Sequence, residues 1–201
     1  DTVNANGLSH CYLRPIIART GEQIGVLASQ DPALTETFVV AYDWGTYLGP
    51  EALEHGVDVC VSSWRRAAPD TFPTLAKAGG NYLNSQLSKM QAQLDGYSEG
   101  IMLDHQGLVS EGSAMNLVIV RDDVLYTSPL AHGILHGITR DSVMTIARDL
   151  GYHVREQALP REFLYIADEV FFTGTGAEIT PVRSIDRIPV GSGKPGPICR
   201  A

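Results

Sequence analysis

Several polar side chains in this chain are typed and spaced so that they could act together on one small ligand. Lys77 lies in Leu75-Ala76-Lys77-Ala78-Gly79-Gly80-Asn81-Tyr82-Leu83, among residues too small to shield it from a planar molecule. A protonated lysine is a weak nucleophile, so using this one to form a Schiff base requires a pocket that desolvates it or sets another positive group nearby. Tyr82 follows five residues on, close enough in sequence to reach what the lysine holds. Glu111 ends an apolar run between Ser110 and Gly112, where an inward carboxylate needs a partner. Gly137 and Thr139 precede a helical pattern, and Thr173-Gly174-Thr175-Gly176 makes a second glycine-threonine turn. Free backbone N–H groups and the positive end of a helix dipole at such places attract anions. Tyr12 and Arg14, two apart in a strand-like run, share a face and offer a hydroxyl and a guanidinium to a carboxylate.

Taken singly, each has a plainer reading: Tyr12 and Arg14 as an exposed edge, Tyr82 as a core tyrosine, Glu111 as a turn residue. Together they suit pyridoxal 5′-phosphate. The lysine serves the Schiff base and the later proton transfer, the acid keeps a pyridine nitrogen protonated, the tyrosine bonds the ring oxygen, and the anion sites take the phosphate.

The elements that must position these groups follow from periodicity. Residues 9 to 19 read as a strand interrupted or edged at Pro15, Gly21 to Asp31 as a loop, and Thr37 to Tyr42 as a buried strand. Asp43 to Gly49 is a loop whose Trp44 and Tyr47 cover a pocket or an interface. Glu51 to His55 makes a short helical turn closed by Gly56, and Val57 to Trp64 returns to a strand. Arg65 to Pro73 connects. Leu83, Leu87, Met90 and Leu94 then form one helical stripe, with Asn81 as N-cap and Gly96 as stop. Four short β-like runs, Gly100–Asp104, Leu108–Glu111, Leu117–Arg121 and Val124–Thr127, read as consecutive hairpins. Asp141 to Leu150 is a helix with a Val143, Ile146, Ala147 and Leu150 stripe, capped by Thr139 and closed by Gly151. Ile179 to Ile185 is a last strand before a Gly/Pro-rich tail.

Composition narrows the class. The 201 residues are 44% hydrophobic and 19% charged, enough to bury a core, and the net charge of −8 without a Lys/Arg run argues against nucleic acid. No apolar run approaches the length needed to cross a bilayer, and Asp1-Thr2-Val3-Asn4 does not read as a signal peptide, so a cytoplasmic protein is expected. Cys11, Cys60 and Cys199 fit neither a disulfide framework nor a zinc cluster and are expected reduced, and no metal site is expected.

The motifs Tyr12-Leu13-Arg14-Pro15, Ser62-Ser63-Trp64, Ala76 to Leu83, Ser110-Glu111-Gly112, Gly137-Ile138-Thr139-Arg140 and Gly174-Thr175 with Ala177 to Val182 run from one end of the chain to the other. In these the sequence resembles the branched-chain amino acid aminotransferases of pyridoxal-phosphate fold type IV. The resemblance implies an α+β fold, with residues 1–201 as the large cofactor-binding domain: bent sheets in a pseudo-barrel with outer helices. It implies Lys77 as the Schiff-base lysine, Glu111 at the pyridine nitrogen, Tyr82 at the ring oxygen, Leu135 on the ring face, and Ile138, Thr139 and Thr175 at the phosphate. Tyr12, Arg14 and the Thr175-Gly176 turn would receive substrate carboxylates. The implied reaction moves an amino group reversibly between leucine, isoleucine or valine and 2-oxoglutarate by a ping-pong route. The implied assembly is a homodimer, with Trp44 and Tyr47 near the partner's site. The family's N-terminal small domain, with its phosphate-binding arginine, and its C-terminal helix have no counterpart here, and Ala114-Met115-Asn116 stands where Gly-Glu-Asn is usual. Alternatives are a D-amino-acid transaminase or aminodeoxychorismate lyase of the same fold, or a cofactor-binding module without turnover.

Overall fold

The computed structural model of the chain describes residues 1–21, 25–27 and 31–201. Where one domain over 1–201 is expected, the backbone divides into two compact units, Asp1–Gly45 and Thr46–Ala201. The expected loop Gly21 to Asp31 falls partly outside the described residues.

The first unit holds a short helix α1 (Thr2–Ala5) and two strands, β1 (Tyr12–Arg19) and β2 (Thr35–Tyr42), paired antiparallel from Tyr12↔Tyr42 to Arg19↔Thr35. Both strands stand where the sequence puts them, but β2 is not buried: Phe38, Val39 and Val40 are exposed, as are Leu13, Ile16 and Ile17 of β1. A ribbon of two strands has no third layer against which to bury either face.

The second unit is built on a mixed sheet in the order β5-β4-β3-β10-β9-β6-β7-β8, nine-stranded among the described residues when β11 on β10 is included. Its strands are β3 (Val57–Val61), β4 (Glu99–Leu103), β5 (Val109–Gly112), β6 (Asn116–Arg121), β7 (Val124–Thr127), β8 (His153–Glu156), β9 (Glu169–Gly174), β10 (Glu178–Ile185) and β11 (Ile188–Pro189). Among them run α2 (Ala52–His55), α3 (Tyr82–Leu94), α4 (Ile138–Asp149) and α5 (Pro197–Arg200). β10 joins the two halves of the sheet. Its first residues pair antiparallel with β9, its last residues pair parallel with β3, and the register shifts between Val182 and Ser184.

The central strands are apolar on both faces, and alternation sorts their residues. Leu117, Ile119, Val170 and Phe172 enter the larger core with Val59, Ile101, Leu159 and Leu164, while Val118, Val120 and Phe171 meet Val143 and Ala147 of α4. Arg140, only 1% exposed, fastens α4 to the sheet. Its Nε donates to Thr127 Oγ1 at 3.1 Å and its guanidinium to Ser128 O at 3.0 Å and Glu156 Oε2 at 2.7 Å.

Four further expectations change. The runs at 100–127 make two hairpins, β4-β5 and β6-β7, but β5 and β6 are not paired. At Gly112, where an added Cβ would lie 2.9 Å from Phe172 and 3.0 Å from Met115, the chain turns away, and β6 inserts between β9 and β7. The Leu83, Leu87, Met90 and Leu94 stripe faces outward, 40–85% exposed; Ser85, Ser88 and Ala92 face in. α3 lies so close to β4 that a Cβ on Gly100 would sit 2.5 Å from Ser88 Oγ, leaving room only for small side chains. On α4, Val143 and Ala147 are buried, whereas Ile146 and Leu150 are exposed. Thr139 does not cap, since Gly137 is the N-cap of α4; Asn81 stands at the N-cap of α3 as expected, but without a side-chain cap hydrogen bond. The remaining stops agree, with Gly56, Gly96 and Gly151 at positive φ. The tail carries α5, whose Ile198 and Cys199 N–H groups donate to Glu169 at 3.0 and 2.9 Å.

Candidate active site

The Lys77 loop is shaped from within. Asn81 Nδ2 donates to Pro73 O at 3.0 Å and to Ala76 O at 2.7 Å, closing residues 73–81 around the lysine. The Gly79–Asn81 3-10 turn leads straight into α3 and sets Tyr82 in its first turn. Lys77 is exposed and Tyr82 half-buried, and Lys77 Nζ donates to the Tyr82 hydroxyl at 3.1 Å.

Glu111 lies on β5 and is almost wholly enclosed. Its Oε1 meets the Arg66 guanidinium at 2.9 Å, and its Oε2 accepts from Asn116 Nδ2 at 2.8 Å and from Leu135 N–H at 3.0 Å. Burial pushes its carboxyl up to about 7; Arg66 opposes this first, then the Leu135 N–H, then the charges of Lys77 and Arg140. Lys77 therefore acts electrostatically on Glu111. Asn116 ties the acid to α4: Nδ2 also donates to Leu135 O at 2.9 Å, and Oδ1 occupies the space a Cβ on Gly137 would need, only 2.0 Å away.

Beyond Gly137 the helix begins. The Asp141 N–H closes the first turn on Gly137 O, so the N–H groups of Ile138, Thr139 and Arg140 lie ahead of the helical ladder. Thr139 is half-buried in that turn and Leu135 half-buried before it, while the Ile138 side chain is exposed. The Gly174–Ala177 turn sits beside the same end of the sheet. Asn116 pairs across from Thr173, and a Cβ on Gly174 would touch Met115 Cβ at 3.4 Å. Thr175 is exposed and Gly176 half-buried on this turn. Thr173 Oγ1 beneath it is buried with no hydrogen-bond partner.

Tyr47 leads from the loop toward this region. Burial raises its hydroxyl first, with the charge of Glu99 and Tyr82 adding, against a hydrogen bond from Ser113. In the first unit, Tyr12 and Arg14 share a face as the strand period requires. Tyr12 stacks on Trp44 with ring centroids 4.8 Å apart, and the Arg14 guanidinium lies 5.5 Å from the Tyr12 ring and 5.4 Å from the Trp44 ring.

The second unit thus gathers Lys77 with Tyr82, and Glu111 with Leu135, Gly137 and the start of α4, beside the turn that carries Thr175 and Gly176. Arg66 and Asn116 are functional candidates that residue spacing does not single out. Arg66 sits in a polar, proline-bounded segment that reads as solvated, and the one available signal was that an inward Glu111 needs a partner. Two surface clefts of about 340 and 350 Å³ lie elsewhere, lined by Ile179 and Cys199 and by Glu51 and Arg183. The chemistry of the side chains, not concavity, marks the site.

The model of the amino-transferase class IV family matches residues 1–185. The chain belongs to the class IV aminotransferases. Among members of that family, it is 52% identical over 202 residues to the branched-chain-amino-acid aminotransferase of Escherichia coli (strain K12), covering 100% of this chain and 64% of that protein. The crystal structure of an Escherichia coli branched-chain amino acid aminotransferase superposes with a TM-score of 0.94 at 51% identity, over 99% of this chain and 65% of that one. The branched-chain amino acid aminotransferase of Thermobaculum terrenum in PLP-form superposes at 0.90 and 36% identity, over 98% and 64%. The fold is the α+β fold of these class IV enzymes. The chain spans about 64% of the length of the Escherichia coli and Salmonella typhimurium relatives it matches. No helix among the described residues is long and apolar enough to cross a membrane.

Proposed function

We propose that this chain carries the cofactor-holding part of a branched-chain aminotransferase, transferring amino groups between leucine, isoleucine or valine and 2-oxoglutarate. The observation that carries the reading is the Lys77–Tyr82 contact of 3.1 Å, with the enclosed Glu111 electrostatically coupled to the same lysine. The residues fit pyridoxal 5′-phosphate. Gly137 allows Asn116 to join Glu111 to the start of α4, and the buried Thr173 hydroxyl lies under the Gly174–Ala177 turn.

When bound, pyridoxal phosphate supplies an electron-accepting ring that lowers the cost of breaking the substrate Cα–H bond. The chain's own groups do the rest. Lys77 Nζ anchors the cofactor and moves the Cα proton; the Tyr82 hydroxyl, 3.1 Å from Nζ, orients that amine and the ring oxygen. Glu111 would accept from the ring nitrogen, and Leu135 would pack against the ring. The N–H groups of Ile138 and Thr139, and the Thr175 hydroxyl, would hold the phosphate. Tyr12, Arg14 and the Thr175-Gly176 turn are assigned to substrate carboxylates. A cytoplasmic homodimer is the assembly expected of this reading.

Titrating the purified chain with pyridoxal phosphate tests it: a visible absorbance band should form in the wild type and not in Lys77→Ala. L-leucine should then discharge the band faster than D-alanine or aminodeoxychorismate. A folded wild type without the band overturns the cofactor reading, and a band unmoved by any of these substrates overturns turnover.

A further inference from the structure

We propose that Arg66 is a positioning residue that keeps Glu111 a hydrogen-bond acceptor and aims its Oε1 at the cofactor ring; this rests on the pyridoxal-phosphate reading above. The two side chains form an ion pair at 2.9 Å with 6% and 7% exposure, so water screens neither. Arg66 is itself held, its Nε donating to Gly133 O at 3.1 Å and its N–H to Leu103 O at 2.9 Å. A carboxylate offers about four acceptor positions, two on each oxygen. Asn116 and Leu135 take two on Oε2 and Arg66 takes one on Oε1. The position left is on Oε1, the oxygen that the guanidinium fixes.

The charge matters as much as the direction. An enclosed carboxyl tends to keep its own proton, and a protonated carboxyl donates where a ring N–H needs an acceptor. The charged groups that bear on Glu111 are Arg66 from the segment after β3, Lys77 from the loop before α3 and Arg140 from α4. Lys77 is exposed and Arg140 is engaged with Thr127, Ser128 and Glu156, so Arg66 is the cation in contact.

The test is the titration of Glu111 in the full chain without cofactor, followed by the carboxyl carbon of labelled glutamate and assigned with Glu111→Gln. Arg66→Met should raise the midpoint by roughly 1 to 3 pH units, as loss of a contacting opposite charge does. Arg66→Lys, which keeps the charge, should hold it nearer the wild type. A folded Arg66→Met with an unmoved midpoint overturns the proposal. If Arg66→Met does not fold, Arg66→Met/Glu111→Gln decides. Recovery of folding in the double variant supports the pair, and an equal defect with or without Glu111 overturns it. Because no cofactor is present, a failure of the pair and a failure of the cofactor reading give different results. Failure of the cofactor reading leaves the wild type without its band while the Glu111 midpoint still follows Arg66.

Discussion

At the scale of single residues, the enclosed carboxyl gives the chain a signature in pH. Glu111 titrates at its ordinary 4.5 when unfolded and at about 7 when folded. Between those values the folded state keeps a proton the unfolded state has released, so this group's contribution to stability falls as pH rises from 4.5 to 7 and levels off beyond. Urea midpoints at pH 5 and pH 7.5 should lie closer together in Glu111→Gln than in the wild type. Asp58 works in the opposite sense: the hydrogen bond from Arg183 first, and that from Ser184, outweigh burial and hold it at about 2. Its contribution is present above its ordinary 3.8 and lost as pH falls toward 2, so Asp58→Asn should shrink the acid-induced loss of stability in that window. Gly137→Ala would drive a methyl into Asn116 Oδ1 and should cost about 1–3 kcal/mol, read by denaturant unfolding, as overpacking does. Lys77, Tyr82, Glu111 and Thr139 could be picked from the sequence because each needs an unusual setting that its neighbours advertise. Arg66 and Asn116 could not, because their partners lie 45 and 5 residues away on other elements and no local pattern encodes that approach.

At the scale of elements, periodicity finds where a helix is and misjudges which side it buries when the neighbour is very close. α3 carries its large apolar residues outward and its serines inward because β4 leaves no depth for more. Leu87→Gln should therefore change stability by no more than about 0.5 kcal/mol, whereas Ser88→Leu should lose about 1–3 kcal/mol. Thermal melts of the two variants side by side check this, and the usual reading of an apolar stripe demands the reverse order. The strands were legible for a related reason: fully covered strands are apolar at nearly every position, and β4, β6 and β9 show such runs. Their partners were not, because a turn such as Gly112 to Met115 looks like a hairpin, and nothing local tells that β6 pairs with the distant β9 instead of β5. β8 has no apolar run and brings only Val154 to the core beside β7, which leaves little for a sequence to announce.

At the scale of the molecule, the two units should differ in how firmly they hold their amide hydrogens. β3, β4, β6 and β9 lie inside a sheet covered on both faces, and β1 and β2 form a ribbon of two strands. Hydrogen exchange should be slowest in the former and orders of magnitude faster in the latter, since opening a ribbon exposes little apolar surface. Equal protection in both would contradict this account. The α+β class was legible through the family resemblance of the motifs, but the strand order was not legible, because it depends on pairings across most of the chain. The parallel pair of β3 with β10 is the extreme case: Val57–Val59 meets Val182–Ile185, and Val61 N–H reaches Asp186 at 2.9 Å. As the chain leaves the ribosome, β3 can find β4 within some forty residues, but its other edge has no mate until β10 is made. Until then a valine-rich edge of the future sheet centre stays open to other chains, so completion of this sheet waits on β10 and is most vulnerable just before that strand arrives.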